Sequence, residues 1–113
     1  MARTVRWAEV ATQDLAEAAE FIARDSRFYA MALVREARAA ARSLRTLAER
    51  GRVVPEAHSP DVRELSVKSY RLIYWITPKV VTVIAFVHGA RDLGALWERR
   101  GGIPDPDWTD PPT

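Results

Sequence analysis

The stretch VRELSVKSYRLIYWITPKVVTVIAFVHGARDL, residues 62–93, decides the fold. Runs rich in valine, isoleucine and aromatic residues alternate here with short turn segments, which predicts three β-strands at about residues 63–68, 71–77 and 80–88. Such short turns force neighbouring strands to run antiparallel. Apolar residues occupy both faces of the last two strands, so we place these strands centrally in the sheet, with helices on one side.

The residues before this stretch predict one strand and two helices. Residues 3–7 alternate polar and apolar side chains, as in a half-buried strand. Thr12 is a candidate helix cap with Asp14 in the first turn, and apolar residues at helical spacing continue to about residue 25. A longer helix is predicted over residues 28–49, with Gly51 as its stop. The two helices form a hairpin.

The remaining segments complete an α+β fold with one domain over residues 1–100. Residues 52–61 carry two prolines and are predicted to be a loop. A short last helix is expected at about residues 92–99, capped by Asp92. The fold is thus an N-terminal strand, a helical hairpin packed on a small antiparallel sheet of about four strands, and a short C-terminal helix. The tail, 101–113, has four prolines and three aspartates and is expected to be disordered or loosely draped, with Trp108 against the body or a neighbouring molecule.

The composition argues against several classes of function. The chain has no cysteine, and its two histidines lack ligand spacing, so we expect no metal and no cofactor. No triad of serine, histidine and aspartate, glycine-rich phosphate loop or paired-carboxylate site is recognisable. The longest apolar run is far shorter than the ~20 residues of a membrane span, so no membrane partner is expected. The first residues lack the apolar stretch of a secretory signal, which points to a cytoplasmic protein.

Most of the basic residues are arginines, and four of these arginines form a row. Fifteen of the 17 basic residues are arginine, which fits anion recognition or the codon bias of a GC-rich genome, the simpler cause of the total. Four of them recur at intervals of three and four along one face of the second predicted helix: Arg35, Arg38, Arg42 and Arg45. This row is either a docking surface for an acidic partner or nucleic acid, or simply a solvated helix face.

The strand region contains a second group of cations. Arg71 is predicted to lie on the open side of the sheet, away from the helices, because strand residues alternate faces. In an antiparallel meander the start of its strand approaches the end of the next, so Arg71, His88 and Arg91 are expected to converge beside Lys68 as an anion site. The alternative is structural: Arg71 pairs with Glu64 across the hairpin, Arg91 pairs with Asp92 or with the last carbonyls of a helix, and His88 is a histidine at the edge of the core.

The order of these elements resembles the RelE/ParE superfamily of toxins from bacterial type II toxin–antitoxin modules. The matching fragments run in order across the chain to about residue 99. They are Val5-Arg6-Trp7-Ala8, Ala11 with Asp14-Leu15, Phe21-Ile22, Gly51-Arg52 with Pro55-Glu56, Arg63-Glu64-Leu65, Tyr70-Arg71-Leu72-Ile73-Tyr74, and His88 through Arg91-Asp92-Leu93. The resemblance implies a growth-inhibiting protein that a cognate antitoxin neutralises by wrapping its helical hairpin and sheet.

The superfamily has two main branches, and the resemblance implies different residue roles in each. In the RelE-like branch, which cleaves ribosome-bound mRNA without a metal, Arg71 and Arg91 would stabilise the phosphate and His88 or Lys68 would move a proton. The tyrosine that this branch carries on its last helix is absent from residues 93–97. The ParE-like branch is thought to inhibit DNA gyrase without being an enzyme, and residues 70–74 and 88–92 look closer to it.

We therefore expect a ParE-like toxin that binds a bacterial target, DNA gyrase, and has no catalytic activity. Arg63, Arg71 and Arg91 are the expected target contacts, and the arginine row of the second helix is the expected antitoxin contact. A ribosome-dependent endoribonuclease is the alternative. A binding module of the same fold without toxicity is a minor one.

Overall fold

The computed structural model describes residues 2–104 and contains a five-stranded sheet with three helices. Its elements are, in chain order, β1 (Thr4–Trp7), α1 (Glu9–Ala23), α2 (Arg27–Ser43), β2 (Arg52–Val53), β3 (Val62–Val67), β4 (Tyr70–Ile76), β5 (Val80–His88) and α3 (Leu93–Arg99), with a 3₁₀ turn at Pro55–Ala57. The α+β class and the element order are confirmed. The sheet has five strands rather than about four, because β2 lies in the segment predicted to be a loop.

The strands lie in the order β1-β5-β4-β3-β2. The neighbours β2–β3, β3–β4 and β4–β5 are antiparallel, as their short connections require. The first strand is parallel to β5, with Thr4 opposite Val80, and forms one edge of the sheet. The other edge is β2, whose two exposed residues are too few to show the alternation by which strands are recognised in a sequence.

A β-bulge interrupts the central pair of strands. Tyr74 lies opposite Val83, but Ile73 lies opposite Ala85, so Ile84 is an extra residue in β5. Ile84 and Ala85 both pack on the face opposite the hairpin, whereas a regular strand sends successive side chains to opposite faces. Every residue of β5 beyond the bulge therefore faces the side opposite to that expected from an uninterrupted register.

The sheet carries a core on each face. The hairpin of α1 and α2 covers one face through buried residues that include Leu33, Ala37, Leu72 and Phe86. Leu93, Leu96 and Trp97 of α3 pack on the other face. The expectation of an open face opposite the hairpin was therefore wrong for the part under α3, because these apolar side chains need burial.

The ends of the first two helices are capped partly by side chains and partly by backbone groups. Helix α1 begins at Glu9, so Thr12 is not its cap; the N–H of Thr12 instead donates to the carbonyl of Ala8 within the first turn. Ser26 caps α2 by accepting from the N–H of Tyr29. This helix ends at Ser43, before the predicted residue 49. Just beyond its end, the N–H of Arg45 donates to the carbonyl of Arg42, and the carbonyl of Arg45 accepts from the N–H of Arg3.

The short last helix agrees with the prediction. Asp92 caps α3 by accepting from the N–H of Ala95 at 3.0 Å. The end of the tail, residues 105–113 with Trp108, lies outside the described residues, so the boundary of the domain stays a prediction. None of the helices found between residues 2 and 104 is long and apolar enough to cross a bilayer.

Candidate functional site

Two arginines of the sheet share one buried carboxylate. Glu64 has a side chain only 3% exposed, and it lies between Arg52 and Arg71. Arg52 donates from Nε to Oε1 of Glu64 at 2.7 Å, and Arg71 donates from Nε and Nη2 to Oε2 at 2.8 and 2.5 Å. A buried carboxylate requires such partners, since desolvation of an unpaired charge costs several kcal/mol. The pairing of Arg71 with Glu64 is the structural alternative that the sequence left open.

A second carboxylate reaches the outer edge of the same guanidinium. Glu56, on the 3₁₀ turn, accepts from Nη1 and Nη2 of Arg71 at 3.3 and 3.4 Å. Burial would raise the pKa of Glu56, but the hydrogen bonds from Arg71 and from the backbone of Glu56, together with the positive charges of Arg71 and Arg52, hold that pKa below its usual value. Burial likewise would lower the pKa of Arg71, and the bonds to Glu64 and Glu56 raise it instead. We call Arg52, Glu56, Glu64 and Arg71 the sheet cluster; its formal charge is zero.

A cavity of about 440 Å³ opens beside the sheet cluster. Its other walls include Ser66 of β3, and Lys68 and Ser69 at the turn between β3 and β4. Lys68 has a left-handed backbone with φ 54°, and its Nζ lies 3.6 Å from Glu36 of α2. Of the cations predicted to converge, Arg71 and Lys68 therefore line one cavity.

His88 and Arg91 lie elsewhere. Because of the bulge, His88 is opposite Tyr70 and faces the hairpin side, where the two rings make an edge contact with centroids 5.4 Å apart. Arg71 is opposite Val87 on the other face. His88 and Arg91 line a separate cleft of about 320 Å³ against α1. The expected convergence of Arg71, His88 and Arg91 was wrong, and the extra residue in β5 is the physical reason.

Arg63 supports the backbone between α2 and β2. Its Nη1 donates to the carbonyls of Gly51 and Glu49 at 3.0 and 3.4 Å, and its buried Nε has no partner among the described residues. Gly51 is held from the other side, since its N–H donates to the hydroxyl of Tyr74. A Cβ at Gly51 would lie 2.4 Å from that hydroxyl, so glycine is required by close approach.

The four arginines of α2 differ from the sheet cluster in their surroundings. Arg35, Arg38, Arg42 and Arg45 are all exposed, and none forms an ion pair within residues 2–104. We call them the α2 row. Three of them, Arg35, Arg38 and Arg42, border an open groove of about 740 Å³ between α1 and α2. The groove is otherwise lined mainly by apolar side chains, including Ala23, Val34 and the exposed Met31.

The α2 row also borders the edge strand of the sheet. A second groove of about 490 Å³ runs between β1 and α2 and is lined by Arg3, Arg38, Arg42 and Arg45. Its other wall is β1, which among residues 2–104 pairs with β5 alone and therefore has backbone groups on its outer side. The row thus connects an apolar groove between helices to a free strand edge.

One buried ion pair was not recognised in the sequence. Asp14 is 6% exposed, accepts from the backbone N–H of Phe86 at 3.1 Å, and forms two bonds with Arg100 at 2.6 and 3.1 Å. It was predicted to be in the first turn of α1 as a helix-dipole residue. The partners are 86 positions apart, and no local pattern signals such a pair. This pair fastens the end of α3 to α1.

No group of histidine, aspartate and glutamate side chains in residues 2–104 has the arrangement of a metal site.

A family model described as the ParE toxin of the type II toxin–antitoxin system, parDE, matches residues 5–93. A comparison with curated proteins finds no significant match. Among solved structures, a chain described as the chromosomal ParDE toxin–antitoxin system from P. aeruginosa has the same fold, with a TM-score of 0.63 at 17% identity, covering 76% of this chain and 95% of that chain.

Proposed function

Because this chain belongs to the ParE toxin family of type II toxin–antitoxin systems, we propose that it inhibits growth by binding DNA gyrase and that a cognate antitoxin neutralises it. The α2 row and the groove beside it support the proposal that an antitoxin binds this chain. Exposed guanidiniums without internal partners retain all their donors for another molecule. Like charges at helical spacing also repel, which an acidic partner relieves.

The antitoxin segment that fits the groove is an amphipathic helix. Its apolar side would cover Met31 and Val34 in the groove, and acidic residues at spacings of three and four would face Arg35, Arg38 and Arg42. Continuing as an extended chain, it would reach the outer edge of β1 beside Arg45 and add a strand to the sheet. Helix and strand together would cover both the hairpin and the sheet edge.

Target contacts are proposed for Arg63, Arg71 and Arg91. The three guanidiniums differ in how free they are to contact a target. Arg91 is exposed and forms no ion pair within residues 2–104, so it is the leading contact. Arg71 contributes only through its outer edge, because Glu64 occupies the inner one. Arg63 contributes least, since its guanidinium is engaged with backbone carbonyls.

The endoribonuclease alternative receives less support from the geometry. Proton transfer and phosphate stabilisation must act on one substrate group at hydrogen-bond distance. The four residues considered for it are divided, with Lys68 and Arg71 at one cavity and His88 and Arg91 at the other. We therefore retain the gyrase proposal as the first choice.

Two assays on purified protein test the proposal. Inhibition of gyrase supercoiling without cleavage of ribosome-bound message is the expected result. Cleavage without an effect on supercoiling would replace the proposal by the RelE-like one, and loss of cleavage on single substitution of Lys68, Arg71, His88 and Arg91 would then identify its residues. Normal growth after induced expression, with neither activity, would favour the non-toxic binding module.

A further inference from the structure

Arg71 uses its two edges very differently. The inner edge, Nε and Nη2, is bonded to the buried Glu64 at 2.8 and 2.5 Å. The outer edge, Nη1 and Nη2, reaches Glu56 only at 3.3 and 3.4 Å, beyond the usual length of a charge-assisted bond. One carboxylate is therefore fixed, and the other is held loosely.

Glu56 is also the more exposed of the two carboxylates. Its side chain is 34% exposed against 3% for Glu64, and it belongs to a 3₁₀ turn of three residues. An ion pair of this exposure is worth little, because water screens it and the side chain loses rotamer freedom. Release of Glu56 therefore costs little, whereas release of Glu64 would leave a buried charge without a partner.

The space next to the outer edge is suited to an anionic group. The cavity of about 440 Å³ that Glu56 and Arg71 line is also bordered by Ser66 and Ser69 and by Lys68, whose ammonium lies 3.6 Å from Glu36 of α2. Once Glu56 moves away, the outer edge of Arg71 has a positive charge that nothing else in the sheet cluster neutralises, since Glu64 is shared with Arg52.

We infer that the outer edge of Arg71 is a binding site for a carboxylate of a protein partner, and that Glu56 is an internal occupant which that carboxylate displaces. This inference rests on the proposed function, in which the partner is a protein target. A carboxylate is favoured over nucleic-acid phosphate because the edge already accommodates one in a two-point contact. Nucleic-acid binding also needs several phosphate contacts along a basic track, and the sheet cluster is neutral overall.

The test is a titration of the full chain with an acetylated and amidated tetraglutamate peptide, followed through the Nε–H resonance of Arg71. Glu56→Gln keeps the side-chain shape and removes the competing charge, so the peptide should bind about two- to fivefold more tightly than to the wild type. Glu9→Gln is the matched control, because it changes the net charge equally at an exposed residue of α1. It should leave the affinity unchanged.

Three outcomes would overturn the inference: an Arg71 resonance that does not respond to the peptide, equal tightening in Glu56→Gln and Glu9→Gln, or tighter binding of inorganic phosphate at the same ionic strength. The last result would assign the site to phosphate groups instead. The titration contains no gyrase, so a failure of the gyrase assay leaves its result unaffected. Arg71→Lys provides a second check, since it retains the charge but loses the planar fork, and should abolish the Glu56-dependent difference.

Discussion

The α2 row and the sheet cluster contain the same residue type under opposite constraints. Arg71 is only 13% exposed at its side chain and is bound by two carboxylates, whereas all four arginines of the row are exposed and none is ion-paired within residues 2–104. A buried charge must be paired by its own chain, and an exposed charge need not be. The comparison teaches that Arg71 first serves the fold, and that the row is available for a partner.

The largest effect should come from the carboxylate at the centre of the sheet cluster. Glu64→Gln removes the buried negative charge that Arg52 and Arg71 share, so we expect a loss of about 3 kcal/mol in the free energy of unfolding, measured by urea denaturation. Replacing Glu64 and Arg71 together by leucine and methionine should recover most of this loss. A single Glu64→Gln change that costs less than about 0.5 kcal/mol would remove the distinction between the two regions.

The ion pair of Asp14 and Arg100 is a third region in which an arginine binds a buried carboxylate. Asp14→Asn keeps the acceptor for the N–H of Phe86 but loses the charge that binds Arg100, so we expect a cost of about 2 kcal/mol. Hydrogen exchange should show faster opening of α3 than of the central strands, since this pair fastens its end. Uniform protection in α3 and β5 of the variant would contradict that role.

Substitutions in the α2 row should weaken antitoxin binding without changing the free energy of unfolding. The double change Arg38→Glu and Arg42→Glu places like charge against an acidic antitoxin segment, so we expect at least tenfold weaker binding of the co-expressed antitoxin, or ~1.4 kcal/mol. The free energy of unfolding should stay within about 0.5 kcal/mol of the wild type. The control is Arg91→Glu with Arg99→Glu, two exposed arginines beside the ends of α3 that line neither groove of the α2 row. Equal weakening by both pairs would indicate only a general charge effect.

The smallest expected change in the free energy of unfolding comes from removing a buried polar group that carries no charge. Tyr74 is fully buried and donates to the carbonyl of Ala48, so Tyr74→Phe should cost about 1 kcal/mol at pH 7. Burial raises the pKa of Tyr74 despite the hydrogen bond from Gly51. Above its ordinary pKa of about 10 the unfolded chain binds fewer protons, so stability falls as the pH rises through the folded pKa. Unfolding of both proteins at alkaline pH should show this loss only in the wild type.

Much of this architecture was predictable because its signals are local. The central strands follow from their apolar runs and turn residues, and α3 follows from the Asp92 cap. Strand β2 was missed because two exposed residues have no periodicity, and its existence depends on β3 lying beside it. The early start of α1 was missed because the backbone of Ala8, which has no capping side chain, precedes the first turn.

The site was harder to predict than the fold because one residue changes the faces of a strand. With an uninterrupted register from the pair of Ile76 and Val81, Arg71 would lie opposite Phe86 and share a face with His88. The bulge at Ile84 reverses this relation. No residue type in β5 announces the bulge, so the convergence of Arg71 and His88 could not be judged from the sequence.

The parallel pairing of β1 with β5 has a consequence for biosynthesis. Thr4 is translated before both helices, whereas its neighbour Val80 is translated after them. Contacts between such distant positions form slowly, because a long loop must first be closed. The nascent chain therefore displays the helical hairpin without its sheet until β5 emerges, and the fold of the toxin is completed only after that strand leaves the ribosome.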